Sequence, residues 1–195
     1  MNIMETNIAI VCFSGYGHTK KQAEAVEQGA QSTPDTKVEM LAIDKEGNLS
    51  DADWATLAKA DAIIFGSATY MGGPAWQFKK VADTSFKSWR TQEWKDKVAA
   101  GFTNSSSLNG DKFSTLSYLH TLAMQHGTIW IGTGLKPSSK KESTRDDVNW
   151  LGGFSGLLAQ SAVDATPEEG PSPGDLETAR IFGKRVADYA RKTRQ

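Results

Sequence analysis

The stretch Ser14-Gly15-Tyr16-Gly17-His18-Thr19 decides how this sequence is interpreted. It follows an apolar run, residues 8–13, and precedes a helix-like run, residues 20–31, so the order is strand, tight loop and helix. The loop combines hydroxyl groups with two glycines and ends where a helix begins. Helix N-termini carry unpaired N–H groups and the positive end of the helix dipole, which favour a bound anion. The stretch therefore predicts a phosphate-binding loop.

The residues of this loop narrow the kind of phosphate that it can hold. A Walker loop ends in Gly-Lys-Ser/Thr, whereas here Lys20 follows Thr19. The dinucleotide loop Gly-x-Gly-x-x-Gly needs a third glycine, whereas only Gly15 and Gly17 are present. A hydroxyl-rich loop without the Walker lysine suits a phosphomonoester such as that of FMN. From the loop alone, a plain strand-to-helix turn is an equally good interpretation.

Length, composition and charge limit the class of protein. The chain has 195 residues, 38% of them hydrophobic, which is enough for one α/β domain with a sizeable core. The net charge of −1 argues against a nucleic-acid-binding surface. The single cysteine, Cys12, excludes an internal disulfide and suits a reducing compartment. Because no apolar run has the length of a membrane span and Met1–Thr6 lacks a signal-peptide pattern, we expect a cytoplasmic protein.

Strand and helix patterns alternate along the whole chain. Apolar runs predict strands at residues 7–13, 37–42, 62–66, 97–103 and 128–131. Helical patterns lie between them and after them, at about 19–32, 51–59, 74–83, 113–125 and 175–192, the third opening at Pro74. Residues 132–153 lack a regular pattern, and residues 156–160 would resume strand five. This alternation predicts an α/β fold in which helices wrap a parallel sheet.

Three unusual loops follow strands one, three and four, and therefore meet at the same edge of a parallel sheet. The second loop contains Thr69, Tyr70, Met71 and Gly72. The third contains Asn104, Ser105, Ser106, Ser107, Leu108 and Asn109. Both offer backbone groups, neutral polar side chains and some apolar surface, which is what a flat ring with polar edges needs. The sequence thus predicts a phosphate at the first loop and a ring at the other two.

These loops resemble those of the WrbA family of NAD(P)H:quinone oxidoreductases, within the flavodoxin-like superfamily. The first loop is similar to that family's Ser-x-Tyr-Gly-His phosphate loop, and the likeness covers nearly the whole chain. It implies a single domain over residues 1–195, a doubly wound five-stranded sheet of order 2-1-3-4-5, and a long insertion in or after strand five. It also implies that all three loops bind FMN, the first through Ser14, Gly15, Tyr16, Gly17, His18 and Thr19.

Several positions depart from the pattern of that family. Tyr70 stands where the family's second loop has an arginine, and the third loop is rich in serine and asparagine instead of glycine. Trp89 has the spacing of the family's cleft tryptophan, and His126 is a single histidine where the family has two. The resemblance therefore assigns the catalytic positions to Trp89 and His126. No cluster of histidine, cysteine and carboxylate residues has metal-ligand spacing, so we expect no metal site.

The resemblance implies an enzyme with a ping-pong cycle. NADH or NADPH would give a hydride to FMN, and a quinone would then take two electrons, in a homo-oligomer that is typically a tetramer with sites between subunits. One alternative is a flavodoxin-type electron carrier that binds FMN without NAD(P)H turnover, although such carriers usually have a strong acidic excess. Another is a regulatory module whose loops bind a protein. The sequence does not distinguish NADH from NADPH as the donor. It also leaves the acceptor open, since a nitro or azo compound could take the place of the quinone.

Overall fold

A parallel β-sheet forms the centre of the structure, a computed structural model that describes residues 5–194. Residues 1–4 lie outside that range. They belong to the segment Met1–Thr6, in which the sequence showed no signal-peptide pattern. The strands are β1 (Thr6–Phe13), β2 (Thr36–Ala42), β3 (Ala62–Tyr70), β4 (Gly73–Pro74), β5 (Val98–Ser105), β6 (Ile129–Trp130) and β7 (Leu157–Gln160). Their order is β2-β1-β3-β5-β6, with β7 also paired to β5. The predicted order 2-1-3-4-5 is confirmed, because β5 is the fourth parallel strand and β6 and β7 together form the fifth.

The fifth strand is split by an insertion. β6 pairs in parallel with Val98 and Ala99 of β5, whereas β7 pairs with Phe102–Ser105 of the same strand. The intervening segment leaves the sheet and returns to it. Its two ends are tied together, since the Thr133 hydroxyl donates to the Gly153 carbonyl at 2.7 Å. The long insertion that was expected in or after strand five therefore lies within it.

Helices cover both faces of the sheet, as the continuous burial of β1 and β3 requires. They are α1 (His18–Gln31), α2 (Asp51–Lys59), α3 (Trp76–Thr84), α4 (Phe86–Arg90), α5 (Lys112–Gln125) and α6 (Pro173–Thr193). Val26 of α1 and Phe182 of α6 belong to the core on one face, and Leu57, Phe78 and Leu119 belong to the core on the other. No helix within residues 5–194 combines the length and apolarity needed to cross a membrane.

Helices α1 and α6 touch at the level of their backbones. A Cβ atom at Gly29 would lie 1.8 Å from the carbonyl oxygen of Arg180, and one at Gly183 would lie 2.0 Å from that of Val26. Only glycine fits at such an approach. The contact fixes α1 against α6, and α1 begins at the loop predicted to bind phosphate.

The segment after β3 differs from the sequence prediction. Strand three was expected to end at Gly66 and a helix to open at Pro74, and both expectations are wrong. β3 continues to Tyr70 and turns back through two residues with positive φ, so that Gly73 and Pro74 pair antiparallel with Tyr70 and Thr69. Proline is compatible with this short edge strand because its missing N–H is not needed there. Helix α3 therefore begins only at Trp76.

Candidate functional site

A cleft of about 510 Å³ opens at the carboxyl edge of the sheet. Its walls come from the carboxyl ends of β3 and β5 and from the segments that follow β1, β5 and β7, which is where open parallel sheets bind ligands. The lining residues are Ser14, Tyr16, His18, Thr19, Ala68, Thr69, Tyr70, Asn104, Ser105, Ser106, Ser161, Ala162, Val163 and Ala165. All three predicted loops reach this cleft, and a fourth segment joins them.

The first loop brings an uncapped helix start to the cleft. The amide of Gly17 donates to the Ser14 hydroxyl at 3.1 Å, and Gly17 has a φ of 94°, which favours glycine. Helix α1 then begins at His18 with no capping side chain and no acidic residue in its first turn. Thr19 lines the cleft and is buried. The free N–H groups of this first turn can therefore donate to an anion in the cleft.

The segment after β7 closes over the first loop. His18 donates from Nδ1 to the carbonyl oxygen of Gly170 at 3.1 Å, which fixes the orientation of the imidazole ring. Pro167 packs against Gly17, where an added Cβ atom would lie 2.6 Å from the proline ring. This segment also contributes Ser161 and Val163 to the cleft lining.

The second loop gives the cleft a buried hydroxyl and an aromatic rim. Thr69 is buried, and its Oγ1 lies 2.7 Å from the hydroxyls of both Thr103 and Thr115. The Tyr70 hydroxyl accepts a hydrogen bond from the Gly15 amide, and burial raises the pKa of this tyrosine. A Cβ atom at Gly15 would lie 2.5 Å from that hydroxyl oxygen, so glycine admits the contact.

The remaining residues of the second loop lie outside the cleft lining. Met71 and Gly72 form the tip of the turn, with φ values of 47° and 78°, and Met71 is fully exposed. Tyr16 of the first loop meets Tyr70 edge to face, with ring centroids 6.3 Å apart. The aromatic rim is thus made of Tyr16 and Tyr70.

The third loop divides into a part that lines the cleft and a part that does not. Asn104 is buried, and its side-chain amide donates to the Ser161 hydroxyl at 3.0 Å. Ser105 and Ser106 follow along the same wall. The later residues of the loop, Ser107, Leu108 and Asn109, do not line the cleft, and their carbonyl groups face Lys112 instead.

The two residues assigned to catalysis lie elsewhere in the chain. Trp89 and His126 share a shallow depression beside α3 and α4 that has no lining residue in common with the cleft. Trp89 is 44% exposed and stacks on Phe86, with ring centroids 5.4 Å apart. Within one chain, neither Trp89 nor His126 therefore contacts the cleft.

The surroundings of His126 keep it uncharged. The Ser85 hydroxyl donates to the Ala82 carbonyl, so its oxygen accepts from Nε2 of His126, 2.8 Å away. Trp94 covers the imidazole at a centroid distance of 4.1 Å. Burial lowers the pKa of His126 from 6.5 to about 4. At physiological pH the imidazole is therefore neutral and carries one ring proton, on Nε2. That proton is donated to the Ser85 hydroxyl.

Sequence reasoning did not identify part of the cleft wall. Neither Ala68 nor the segment after β7 was predicted to belong to the site. The missed lining residues are Ala68, Ser161, Ala162, Val163 and Ala165. The available signal was positional, because Ser161 immediately follows β7 at the ligand-binding edge of the sheet.

Hydroxyl, amide and aromatic groups make up most of the polar lining of the cleft. Among the described residues, its lining includes no Asp, Glu, Lys or Arg side chain. An anion bound there is consequently held by hydroxyls and backbone N–H groups. Groups of this kind donate hydrogen bonds to the oxygens of a phosphomonoester at the N-terminus of a helix.

Comparisons with known proteins agree with this geometry. Residues 10–140 match the family model described as NADPH-dependent FMN reductase. The chain is 49% identical to a protein named flavodoxin FldP from Pseudomonas aeruginosa, over 91% of this chain and 93% of that protein. It is 31% identical to an NAD(P)H dehydrogenase (quinone) from Geobacter sulfurreducens, over 95% of this chain and 98% of that one.

A solved structure shows the same architecture. The crystal structure of a flavodoxin, WrbA-like protein from Agrobacterium tumefaciens superposes with a TM-score of 0.78 at 48% identity, covering 96% of this chain and 99% of that one. Sequence family and three-dimensional fold therefore lead to one assignment. The chain belongs to the FMN-binding, flavodoxin-like oxidoreductases of the NADPH-dependent FMN reductase family.

Proposed function

We propose that this protein binds one FMN in the cleft and uses NAD(P)H to reduce a quinone-type acceptor by two electrons. The observation that carries the proposal is the neutral, open cleft that has an uncapped helix start at one end. Such a cleft suits a ligand with a single phosphate and a flat, uncharged ring system. The quinone dehydrogenase relatives from Geobacter sulfurreducens and Geotalea daltonii support this acceptor class.

The phosphate would be held by the first loop. The N–H groups that open α1, together with the hydroxyls of Ser14 and Thr19, supply donors without a positive side chain. Hydrogen bonds from such donors to a charged phosphate contribute roughly 1.5–3 kcal/mol each. Within the described cleft, the uncapped start of α1 offers donors for a single phosphate, so FMN fits better than FAD.

The ring would lie between the second and third loops. Thr69, Asn104 and Ser161 offer neutral hydrogen-bonding groups, each buried and held by a neighbour. When bound, the flavin ring supplies reversible two-electron chemistry, which the protein positions and tunes. The side chains named here bind and orient that ring, and they keep bulk water from one side of it.

The rim of the cleft suits small flat reactants. Tyr16 and Val163 are 79% and 88% exposed at its mouth. Apolar and aromatic surface of this kind attracts a nicotinamide or a quinone ring more than a charged protein surface. Because the described cleft lining has no Lys or Arg for the extra phosphate of NADPH, we expect NADH and NADPH to be used at similar rates.

A second candidate function is electron transfer between proteins without NAD(P)H turnover. The 49% identical relative is named a flavodoxin, which favours this candidate. So does the position of Trp89 and His126 away from the cleft of their own chain. The electron carrier and the enzyme share the same FMN site and differ in what reduces it.

An anaerobic titration separates the two. The purified FMN-loaded protein is mixed with NADH or NADPH in the absence of oxygen, and the visible absorbance of the flavin is followed by stopped flow. We expect rapid bleaching by either nucleotide and full recovery of colour when benzoquinone is added. Bleaching by dithionite but by neither nucleotide would establish the carrier instead.

A further inference from the structure

The chain forms a compact surface loop directly after β7, at residues 161–170, which we call the flap. Its two ends meet, because a Cβ atom built at Gly170 would lie 3.1 Å from the Cβ atom of Ser161. Two internal turns are closed by backbone hydrogen bonds of 3.1 and 3.2 Å. This is the geometry of an Ω-loop, and a loop with adjoining ends can turn about them as one unit.

The body of the flap has few bonds to the rest of the protein. Among the described residues, every hydrogen bond made by residues 162–169 stays within the flap. Most of these residues are also exposed. Segments with few contacts to the core open at a low cost in free energy. The flap can therefore lift without disturbing the sheet.

Two contacts hold the flap on the first loop. Pro167, in the middle of the flap, packs on Gly17, and His18 donates from Nδ1 to the carbonyl oxygen of Gly170 at 3.1 Å. Gly17 and His18 form the start of α1, and Thr19 after them lines the cleft but is buried. The flap thus lies against the N-terminal turn that is proposed to hold the phosphate.

We propose that the flap covers the phosphate of the cofactor and must open for FMN to enter or leave, and that Pro167 and His18 are positioning residues that hold it closed. The inference rests on the proposed function, since it requires the phosphate of FMN at the start of α1. Ala162 and Val163 of the flap line the same cleft, so the flap borders the ligand directly. Loops that close over a ligand in this way limit the rate at which it is exchanged.

Opening of the flap has a kinetic signature that distinguishes it from simple binding. Loss of a contact that only binds FMN raises the dissociation rate constant and leaves the association rate constant nearly unchanged. Loss of a contact that holds the flap closed raises both rate constants by the same factor. The dissociation constant is their ratio, so it stays the same when only the closure is weakened.

The test compares Pro167→Ala with the wild type and with Glu168→Gln, a matched control because Glu168 is exposed in the same flap. Release of bound FMN into an excess of isotopically labelled FMN gives the dissociation rate constant of the loaded proteins, and fluorescence titration gives the dissociation constant. We expect Pro167→Ala to release FMN about fivefold faster with a dissociation constant within about twofold of the wild type, because one lost contact weakens the closure. Glu168→Gln should match the wild type in both quantities.

His18 is tested by a pair of variants of similar size. His18→Leu removes the donor to Gly170, so we expect FMN release to be about fivefold faster, as for loss of one hydrogen bond. His18→Asn keeps an N–H donor close to the position of Nδ1 and should restore slow release. Riboflavin is the control ligand, because it has no phosphate to pass beneath the flap, and its exchange rate should be the same in Pro167→Ala and wild type.

The outcomes separate the flap from the proposed function. Tight FMN binding with unchanged release in both Pro167→Ala and His18→Leu would overturn the role of the flap alone. Riboflavin exchange accelerated as much as that of FMN would overturn it too, because the flap would then not act on the phosphate. Failure of the wild type to bind FMN would overturn the proposed function together with this inference. If Pro167→Ala does not fold, His18→Leu and its rescue by His18→Asn decide.

Discussion

At the scale of single residues, the structure separates side chains that line the cleft from side chains that lie outside it. Thr19 belongs to the first kind, because it is buried at the helix start and lines the cleft. We expect Thr19→Val to weaken FMN binding by about tenfold or more, since a hydrogen bond to a charged group contributes roughly 1.5–3 kcal/mol. Fluorescence titration with FMN measures the loss.

Riboflavin provides the control for Thr19→Val. It lacks the phosphate, so its affinity should be the same in variant and wild type. Equal weakening of riboflavin and FMN would place the phosphate elsewhere. Valine has nearly the shape of threonine, so the fold of the FMN-free protein should be unaffected.

His126 belongs to the second kind of residue, and its effect is on pH-dependent stability. Because its pKa is lowered from 6.5 to about 4, the unfolded chain binds a proton in this interval that the native state does not. The contribution of the neutral His126 to the free energy of unfolding is fully present above pH 6.5 and is lost as the pH falls toward 4. Between these pH values we expect the wild type to lose about 2–3 kcal/mol more than His126→Gln.

Urea unfolding at pH 7 and pH 4 measures this difference. His120→Gln is the control, because it removes an imidazole from an exposed position of α5. Parallel pH curves for wild type and His126→Gln would contradict the predicted burial of the imidazole.

At the scale of elements, the contact between α1 and α6 leaves the least room for a side chain, because the two backbones touch at Gly29 and Gly183. Gly183→Ala would place a methyl group about 2.0 Å from the Val26 carbonyl, so the helices must separate. We expect a loss of about 2–3 kcal/mol in the free energy of unfolding. Because α1 carries the phosphate loop at its N-terminus, FMN affinity should fall as well.

Gly73→Ala is the matched control for this prediction. Among residues 5–194, no atom outside its chain neighbours lies within 4 Å of a Cβ built at Gly73, and its φ is not positive, so we expect Gly73→Ala to change the free energy of unfolding little. Urea unfolding of both variants gives the comparison. Equal stability of Gly183→Ala and wild type would show that the two helices separate without cost.

Elements with strong local patterns were predictable, and those that depend on distant contacts were not. The apolar runs of β1 and β3 indicated buried parallel strands, and the Ser14–Thr19 loop indicated one wall of the cleft. The helix predicted to begin at Pro74 was wrong because proline is compatible with both the first turn of a helix and an edge strand. The pairing of Pro74 with Thr69, which the local sequence does not reveal, makes it part of a strand. The wall after β7 was missed because Pro167 and Gly17 are brought together by folding and not by any local motif.

At the scale of the whole molecule, the depression that holds Trp89 and His126 is separate from the cleft of the same chain. We therefore expect Trp89→Ala to leave the FMN dissociation constant within about twofold of the wild type, because the contacts proposed for the phosphate and the ring lie on other loops. Fluorescence titration checks this value. A complete loss of FMN would contradict the arrangement described here.

The same variant also tests the predicted homo-oligomer. Quinone turnover in Trp89→Ala should be slower only if Trp89 reaches the cleft of another chain. In that case the wild-type turnover per chain should rise with protein concentration as chains associate. Steady-state assays over a dilution series, together with light scattering, measure both quantities.

The backbone contact between α1 and α6 also governs how the protein is made. Ribosomes release a chain from its N-terminus, so α1 emerges long before the helix that packs on it. Until Pro173–Thr193 has been synthesised, the face of α1 around Gly29 has no partner and the loop before it has no fixed support. We therefore expect cofactor capture to occur late in synthesis of the chain, and products that end before α6 to lack FMN.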